Sequence, residues 1–230
     1  MNATDQIELF EAIYSARSLR KFRPDPIPDE LISKILSAAI QAPSGGSRQQ
    51  WLFVVVKDLE QRRRLAAIYK KAAEIVAAFY AVRPRPAHVD EAGYRRMLAS
   101  GSYLYEHMDE APVLLVPCIR PEVLKFPPLA QRADQAALAT QLDRTKCASI
   151  YPAVQNVILA CRALGLGTVI TTNHLIYEDE VREVLGLPAE IQTHALMPIG
   201  YPRGKFGPMR RRPLAEIAML DRFGNAWKAT

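Results

Sequence analysis

Two arginines three positions apart, with a serine between them, open the chain's chemistry: Arg17-Ser18-Leu19-Arg20, followed by Lys21 and Phe22. Forked guanidinium donors beside a short hydroxyl donor suit one phosphate group. The same cations also suit the end of a helix, where the dipole favours each by about 0.3–1 kcal/mol. A second candidate is Ala42-Pro43-Ser44-Gly45-Gly46-Ser47-Arg48-Gln49-Gln50-Trp51. Paired glycines remove side chains where a flat ligand could rest on backbone. Ser44, Ser47 and Gln49 add donors and acceptors for a heteroaromatic edge, although a plain helix-to-strand connection has the same composition. A third stretch, Gly165 to Asn173, ends in Thr171-Thr172-Asn173. A fourth, Pro208-Met209-Arg210-Arg211-Arg212-Pro213, is either a solvated turn or a second arm of a phosphate clamp.

Bulk properties narrow the class. The chain has 230 residues, 49% hydrophobic and 23% charged, enough for one α/β core. No stretch approaches the roughly 18 apolar residues of a membrane span. The N-terminus has acids and helical spacing, unlike a secretion signal or transit peptide, so a cytoplasmic protein with no membrane contact is expected. A net charge of +6 favours an anionic partner. No recognition helix or interleaved aromatics point to nucleic acid, and a phosphate-bearing small molecule fits better. Cys118, Cys147 and Cys161 lack C-x-x-C spacing and read as reduced thiols, the first and last in core runs. His88, His107, His174 and His194 show no metal-binding spacing, so no metal site is expected.

The elements that must position these motifs follow from periodicity. Helical spacing runs from Asp5 to about Ala16, with Asp5 and Glu8 resembling a capping box. Prolines 24, 26 and 28 force extended backbone. A helix over Asp29–Gln41 precedes a buried strand at Trp51–Val56. Helices over Leu59–Val82 and Glu91–Met108 lead to a buried strand at Pro112–Val116. Residues 120–146 read as a long, lid-like connection. A helix over Ala148–Leu164, with Ala153, Val157, Leu159, Ala160 and Leu164 inward, stops at Gly165. A strand at Thr168–Thr171, a helix at Glu178–Leu185, a strand at Thr193–Ile199 and a tail from Tyr201 complete a single domain over residues 1–230. Two helices precede the first strand and no G-x-G-x-x-G follows it, which disfavours a doubly wound dinucleotide fold.

Taken together and in order, RSLRKF, APSGGSRQQWLFVVV, GLGTVITT and IGYPRGKFGPMRRRPLAEI resemble the FMN-dependent nitroreductase family from about Asp5 to Leu220. The resemblance implies an α+β sandwich around a mainly antiparallel sheet flanked by helices, and an intertwined homodimer whose tails, here residues 201–230, wrap the partner. It implies non-covalent FMN at the subunit interface. Arg17, Ser18, Arg20 and one or two of Arg210, Arg211 and Arg212 would hold the phosphate. Pro43, Ser44, Gly45, Gly46 and Ser47 would reach the flavin of the other subunit, with Gln49 near the cofactor. Thr171, Thr172 and Asn173 would lie along the isoalloxazine, with a backbone N–H toward N5. The helix Ala148–Leu164 would pack near the two-fold axis.

Residues 69–146 would roof the substrate, where Tyr103, Tyr105 and Phe126 are candidates for stacking or for core packing. The family commonly has Asn where this chain has Ser47, and Pro where it has Gln50. The implied activity is ping-pong transfer of hydride from NAD(P)H through flavin N5 to an electrophilic acceptor such as a nitroaromatic or quinone, with no catalytic side chain assigned. Same-fold alternatives are reductive dehalogenation, dehydrogenation or flavin fragmentation. Flavin storage and nucleic-acid binding are further alternatives.

Overall fold

The computed structural model describes residues 7–121, 132–145 and 147–227. Five strands form one sheet: β1 (Trp51–Val56), β2 (Val113–Ile119), β3 (Gly167–Thr168), β4 (Gln192–Thr193) and β5 (Met197–Gly200). Their order is β1-β2-β5-β3, with β4 also on β2, and every pairing is antiparallel. The helices are α1 (Leu9–Ser15), α2 (Asp29–Ala39), α3 (Leu59–Val82), α4 (Glu91–His107), α5 (Arg132–Thr145), α6 (Ile150–Ala163), α7 (Glu178–Leu185) and α8 (Leu214–Ile217). This is the α+β sandwich with an antiparallel sheet that the sequence led us to expect.

The layering follows from β2. Successive side chains of a strand point to opposite faces, and every residue of β2 is buried. Leu114, Val116 and Cys118 pack with Leu65, Ile68 and Tyr69 of α3, Leu104 of α4 and Val181 of α7. Val113, Leu115 and Ile119 pack with Ile32, Ile35 and Ala39 of α2 and Ile150, Val154, Val157 and Cys161 of α6. With helices on both faces, β2 reads as one continuous apolar run.

Several boundaries differ from the sequence reading. Asp5 lies outside the described residues, and α1 starts after Glu8, which makes no side-chain cap bond. β1 has the expected bounds but is mostly half-buried, because it pairs only with β2 and forms the sheet edge. The connection over 120–146 contains α5, whose alanine-rich sequence favours helix although its surface is largely exposed. Residues 193–199 divide between β4 and β5, and β3 ends at Thr168 while Thr171 bridges to Leu196. In α6 the buried stripe runs through Val154 and Cys161, and Leu159 lies outside both cores. Gly165 does close that helix: its φ is +71°, and the Gly165 and Leu166 amides donate to Arg162 and Cys161 carbonyls at 3.2 and 2.8 Å.

One close approach sets the position of the arginine segment. Phe22 bridges to Pro202, the Arg23 amide donates to the Tyr201 carbonyl at 2.8 Å, and the Arg203 amide donates to Lys21 at 2.9 Å. On the other side, the Leu19 amide donates to Thr168 of β3 at 3.1 Å. Gly200 makes this possible, since a Cβ there would meet Pro112 Cδ at 2.9 Å and Phe22 Cβ at 3.0 Å.

Candidate functional site

The pairing just described brings residues from the two ends of the chain into one pocket of about 360 Å³. Arg17, Ser18, Arg20 and Lys21 line it with Ser100, Arg203 and Lys205. Leu19 and Phe22 are buried, so they anchor the strip while the polar residues between them face the pocket. Arg203 is held by its Nε, which donates to the Phe22 carbonyl at 2.8 Å. Lys21 Nζ sits 4.4 Å from the centroid of the Tyr103 ring. Five cationic side chains around one open pocket make an anion site, and the hydroxyls of Ser18 and Ser100 add neutral donors.

Arg20 is the most deeply placed of these cations. Its Nη1 donates to Ser100 Oγ at 3.4 Å, and its pKa is lowered by burial, opposed by the hydroxyls of Tyr69 and Tyr105. Those tyrosines connect it to the third motif, since Tyr69 hydrogen-bonds Thr171 and Tyr105 hydrogen-bonds Asn173. Burial pushes both phenols upward, so they stay neutral. Thr171 Oγ1 donates to the Leu196 carbonyl at 2.6 Å, whereas Thr172 is exposed at the start of a short 3₁₀ turn, Asn173–Tyr177. His174, in that turn, is fully buried with neither ring nitrogen hydrogen-bonded, and burial lowers its pKa to about 4.

The other predicted residues lie elsewhere. Pro43 to Ser47 and Gln49 form a largely exposed loop that does not line the basic pocket. Ser44 Oγ accepts from the Gln49 amide at 3.1 Å, and the Gly45 amide donates to Ser149 Oγ at 3.2 Å. Gly46, Ser47 and Gln49 adopt φ of +56°, +55° and +51°, a conformation that disfavours the last two residue types. Arg210, Arg211 and Arg212 do not reach the pocket. Arg210 pairs with Asp90 at 2.7 Å, Arg212 with Glu216 at 3.0 Å, and Arg211 donates to the Arg210 carbonyl. The cations that arrive from the C-terminal side are Arg203 and Lys205, which the sequence reading passed over.

Tyr69 was also missed. A tyrosine on the buried stripe of a helix needs a partner for its hydroxyl, and that signal was available. Tyr105 stacks edge-on to Tyr69 at 5.9 Å, while Tyr103 donates to Glu110 at 2.7 Å and stacks on His107. Phe126 lies outside the described residues. Cys118 and Cys161 are core residues, and half-buried Cys147 has its Sγ 3.7 Å from Nδ1 of His194. Among the described residues, no cluster of His, Cys, Asp or Glu is arranged to hold a metal, and no helix is long and apolar enough to cross a membrane.

Comparison with known proteins agrees with this architecture. An "NADH dehydrogenase" of Thermus thermophilus is 32% identical over 213 residues, covering 90% of this chain and 93% of that protein. Iodotyrosine deiodinase 1 of Rattus norvegicus is 30% identical over 212 residues, covering 91% and 68%. A crystal structure of oxidized iodotyrosine deiodinase bound to FMN and 3-iodo-L-tyrosine shares the fold with a TM-score of 0.68 at 20% identity, covering 95% of this chain and 100% of that one. The nitroreductase family profile matches residues 13–201. With that match and this sheet, the chain belongs to the nitroreductase family.

Proposed function

We propose that the chain is an FMN-dependent oxidoreductase that takes reducing equivalents from NAD(P)H and passes them to an electrophilic acceptor, a nitroaromatic or quinone being typical. The convergence of Arg17, Ser18 and Arg20 with Arg203 and Lys205 in one pocket carries this reading. A half-buried guanidinium that has no carboxylate partner among the described residues is stabilised when an anion arrives. A phosphate ester is therefore a fitting occupant, and the residues present suit FMN. When bound, FMN supplies the hydride chemistry.

The chain's own residues do the holding. Arg17, Ser18, Lys21, Arg203 and Lys205 neutralise the phosphate, with Arg20 at its inner edge. Thr171, Thr172 and Asn173 would lie beside the ring system, and Tyr69 and Tyr105 hold Thr171 and Asn173 in place. Arg210 or Arg212 would join the clamp after leaving its carboxylate partner, and Arg211 after leaving the Arg210 carbonyl. No side chain is assigned to proton transfer. Donor and acceptor react in turn, which gives ping-pong kinetics.

The Pro43–Ser47 loop and Gln49 belong, in this reading, to the site of a second copy. Exposed apolar side chains on α1 (Leu9, Phe10, Tyr14) and in the tail (Leu214, Ile217, Leu220, Phe223) supply a surface for that copy. A cytoplasmic homodimer is the working form. The 30% identity to iodotyrosine deiodinase 1 favours one alternative, reductive dehalogenation on the same scaffold. Acceptor screening with NADPH separates the two.

The first test is the absorbance of the purified protein between about 350 and 500 nm, where oxidised flavin absorbs. Arg20→Ala is expected to weaken FMN binding by about 1.5–3 kcal/mol, the worth of a charge-assisted hydrogen bond. Full flavin occupancy in that variant, or in a monomer, contradicts the site as drawn.

A further inference from the structure

Arg20 also borders a second cavity. It lies between α3 and α4 and has a volume of about 320 Å³. That is the small end of the range for small-molecule sites, too small for a dinucleotide. Tyr80 from α3 and Met97, Leu98, Gly101 and Tyr105 from α4 line it. Among the described residues that line it, Arg20 is the only charged one and none is acidic. Tyr80, Met97 and Leu98 are 36%, 42% and 37% exposed, so the mouth presents apolar side chains to solvent.

We propose that this slot binds an apolar, single-ring ligand that carries one negative group and no ammonium, an aryl monocarboxylate being the simplest case. The volume limits the ligand to about one ring with a short substituent. The aromatic and thioether walls favour a flat apolar face. Arg20 supplies a forked cation for one carboxylate. The basic pocket keeps Arg17, Lys21, Arg203 and Lys205 when Arg20 serves the slot, and a guanidinium has donors enough to face both sides. A zwitterionic amino acid is disfavoured, because its ammonium would meet no carboxylate among the described lining residues. The slot is thus the acceptor's recognition site, and in that role it rests on the flavin reading above; as a binding site it stands on the lining alone.

The test is calorimetric titration of the protein as purified, with its flavin-to-protein ratio measured first. Benzoate, benzamide and L-phenylalanine are the probes. Benzoate is expected to bind about tenfold more tightly than benzamide, the difference between a charged and a neutral hydrogen-bond acceptor. L-Phenylalanine is expected to bind no better than benzamide. Gly101→Leu fills the slot: its Cβ has Tyr105 Oη as nearest neighbour at 3.8 Å, so the backbone tolerates it. That variant should lose benzoate binding and keep the wild-type flavin ratio. Should it fail to fold, Met97→Trp on the exposed rim makes the same test. Equal affinity for benzoate and benzamide, or benzoate binding that survives the filled slot, overturns the proposal. Protein that purifies without flavin overturns the flavin reading instead, and the benzoate-to-benzamide ratio still decides the slot.

Discussion

Residues 17–23 and residues 43–49 both carry donors that the sequence singled out, yet the fold supports them differently. The first segment is a strip laid between β3 and residues 201–203, tied by backbone hydrogen bonds on both edges and pinned by buried Leu19 and Phe22. The second is an exposed loop that holds two non-glycine residues in the left-handed region. Backbone strain of this kind persists where something else over-determines the conformation, and it concentrates at functional sites. Ser44 and Ser149 steady the loop by accepting from the Gln49 and Gly45 amides. The first segment is held by the rest of the chain along both edges, and the second lies exposed with its strain unrelieved.

The largest expected effect tests the first segment by acid. His174, in the 3₁₀ turn, follows Thr171 by three residues, and its folded pKa of about 4 lies below the ordinary value of 6.5. The unfolded state therefore binds the proton first. Stability is full above pH 6.5 and falls as pH drops from 6.5 toward 4, by about 3 kcal/mol in all. Urea denaturation across that range measures it. His174→Phe should flatten this part of the profile, and an unchanged slope would remove His174 as the cause.

Next comes Gly200→Ala, aimed at the approach that seats the strip. Its Cβ would press on Pro112 and Phe22 at 2.9–3.0 Å, and overpacking of this sort costs about 1–3 kcal/mol. Flavin affinity should fall with stability, because Arg17 to Lys21 and Arg203 share that seam. The second segment predicts the opposite sign. Ser47→Gly and Gln49→Gly relieve left-handed backbone and should each stabilise by about 0.5–1 kcal/mol net of the added chain entropy. If the loop is shaped by a second copy, the same changes weaken dimerisation, which sedimentation equilibrium reads separately.

Much of this frame was legible in the residues. Strand β1 and helices α3 and α7 have the bounds that apolar period and proline or glycine stops indicated. Helix α5 was missed because it is announced by alanine propensity without an apolar stripe. The first motif was visible since Arg17, Ser18 and Arg20 are local in sequence. Arg203 and Lys205 were not, for their place depends on a pairing between Arg203 and Phe22, 181 positions apart. Charge drew attention to Arg210–Arg212 instead; Glu216 is four residues beyond Arg212, but the partner of Arg210, Asp90, is 120 positions away and no local pattern announces it.

That last contrast sets the smallest prediction. Asp90 caps α4 by accepting from the Gly93 amide at 2.6 Å, and it also pairs with Arg210. Asp90→Asn keeps a good capping side chain and removes the charge. An exposed ion pair contributes little to stability, so the melting temperature should stay near that of the parent. Arg210, once released, is free to turn toward the pocket. If it is an arm of the phosphate clamp held in reserve, FMN affinity rises a few-fold in a fluorescence-quenching titration and the rise fades with added salt. An affinity identical to the parent's at low salt assigns the C-terminal half of the clamp to Arg203 and Lys205 alone, and the comparison between the two ends of the tail is settled in favour of the segment that the strip itself holds.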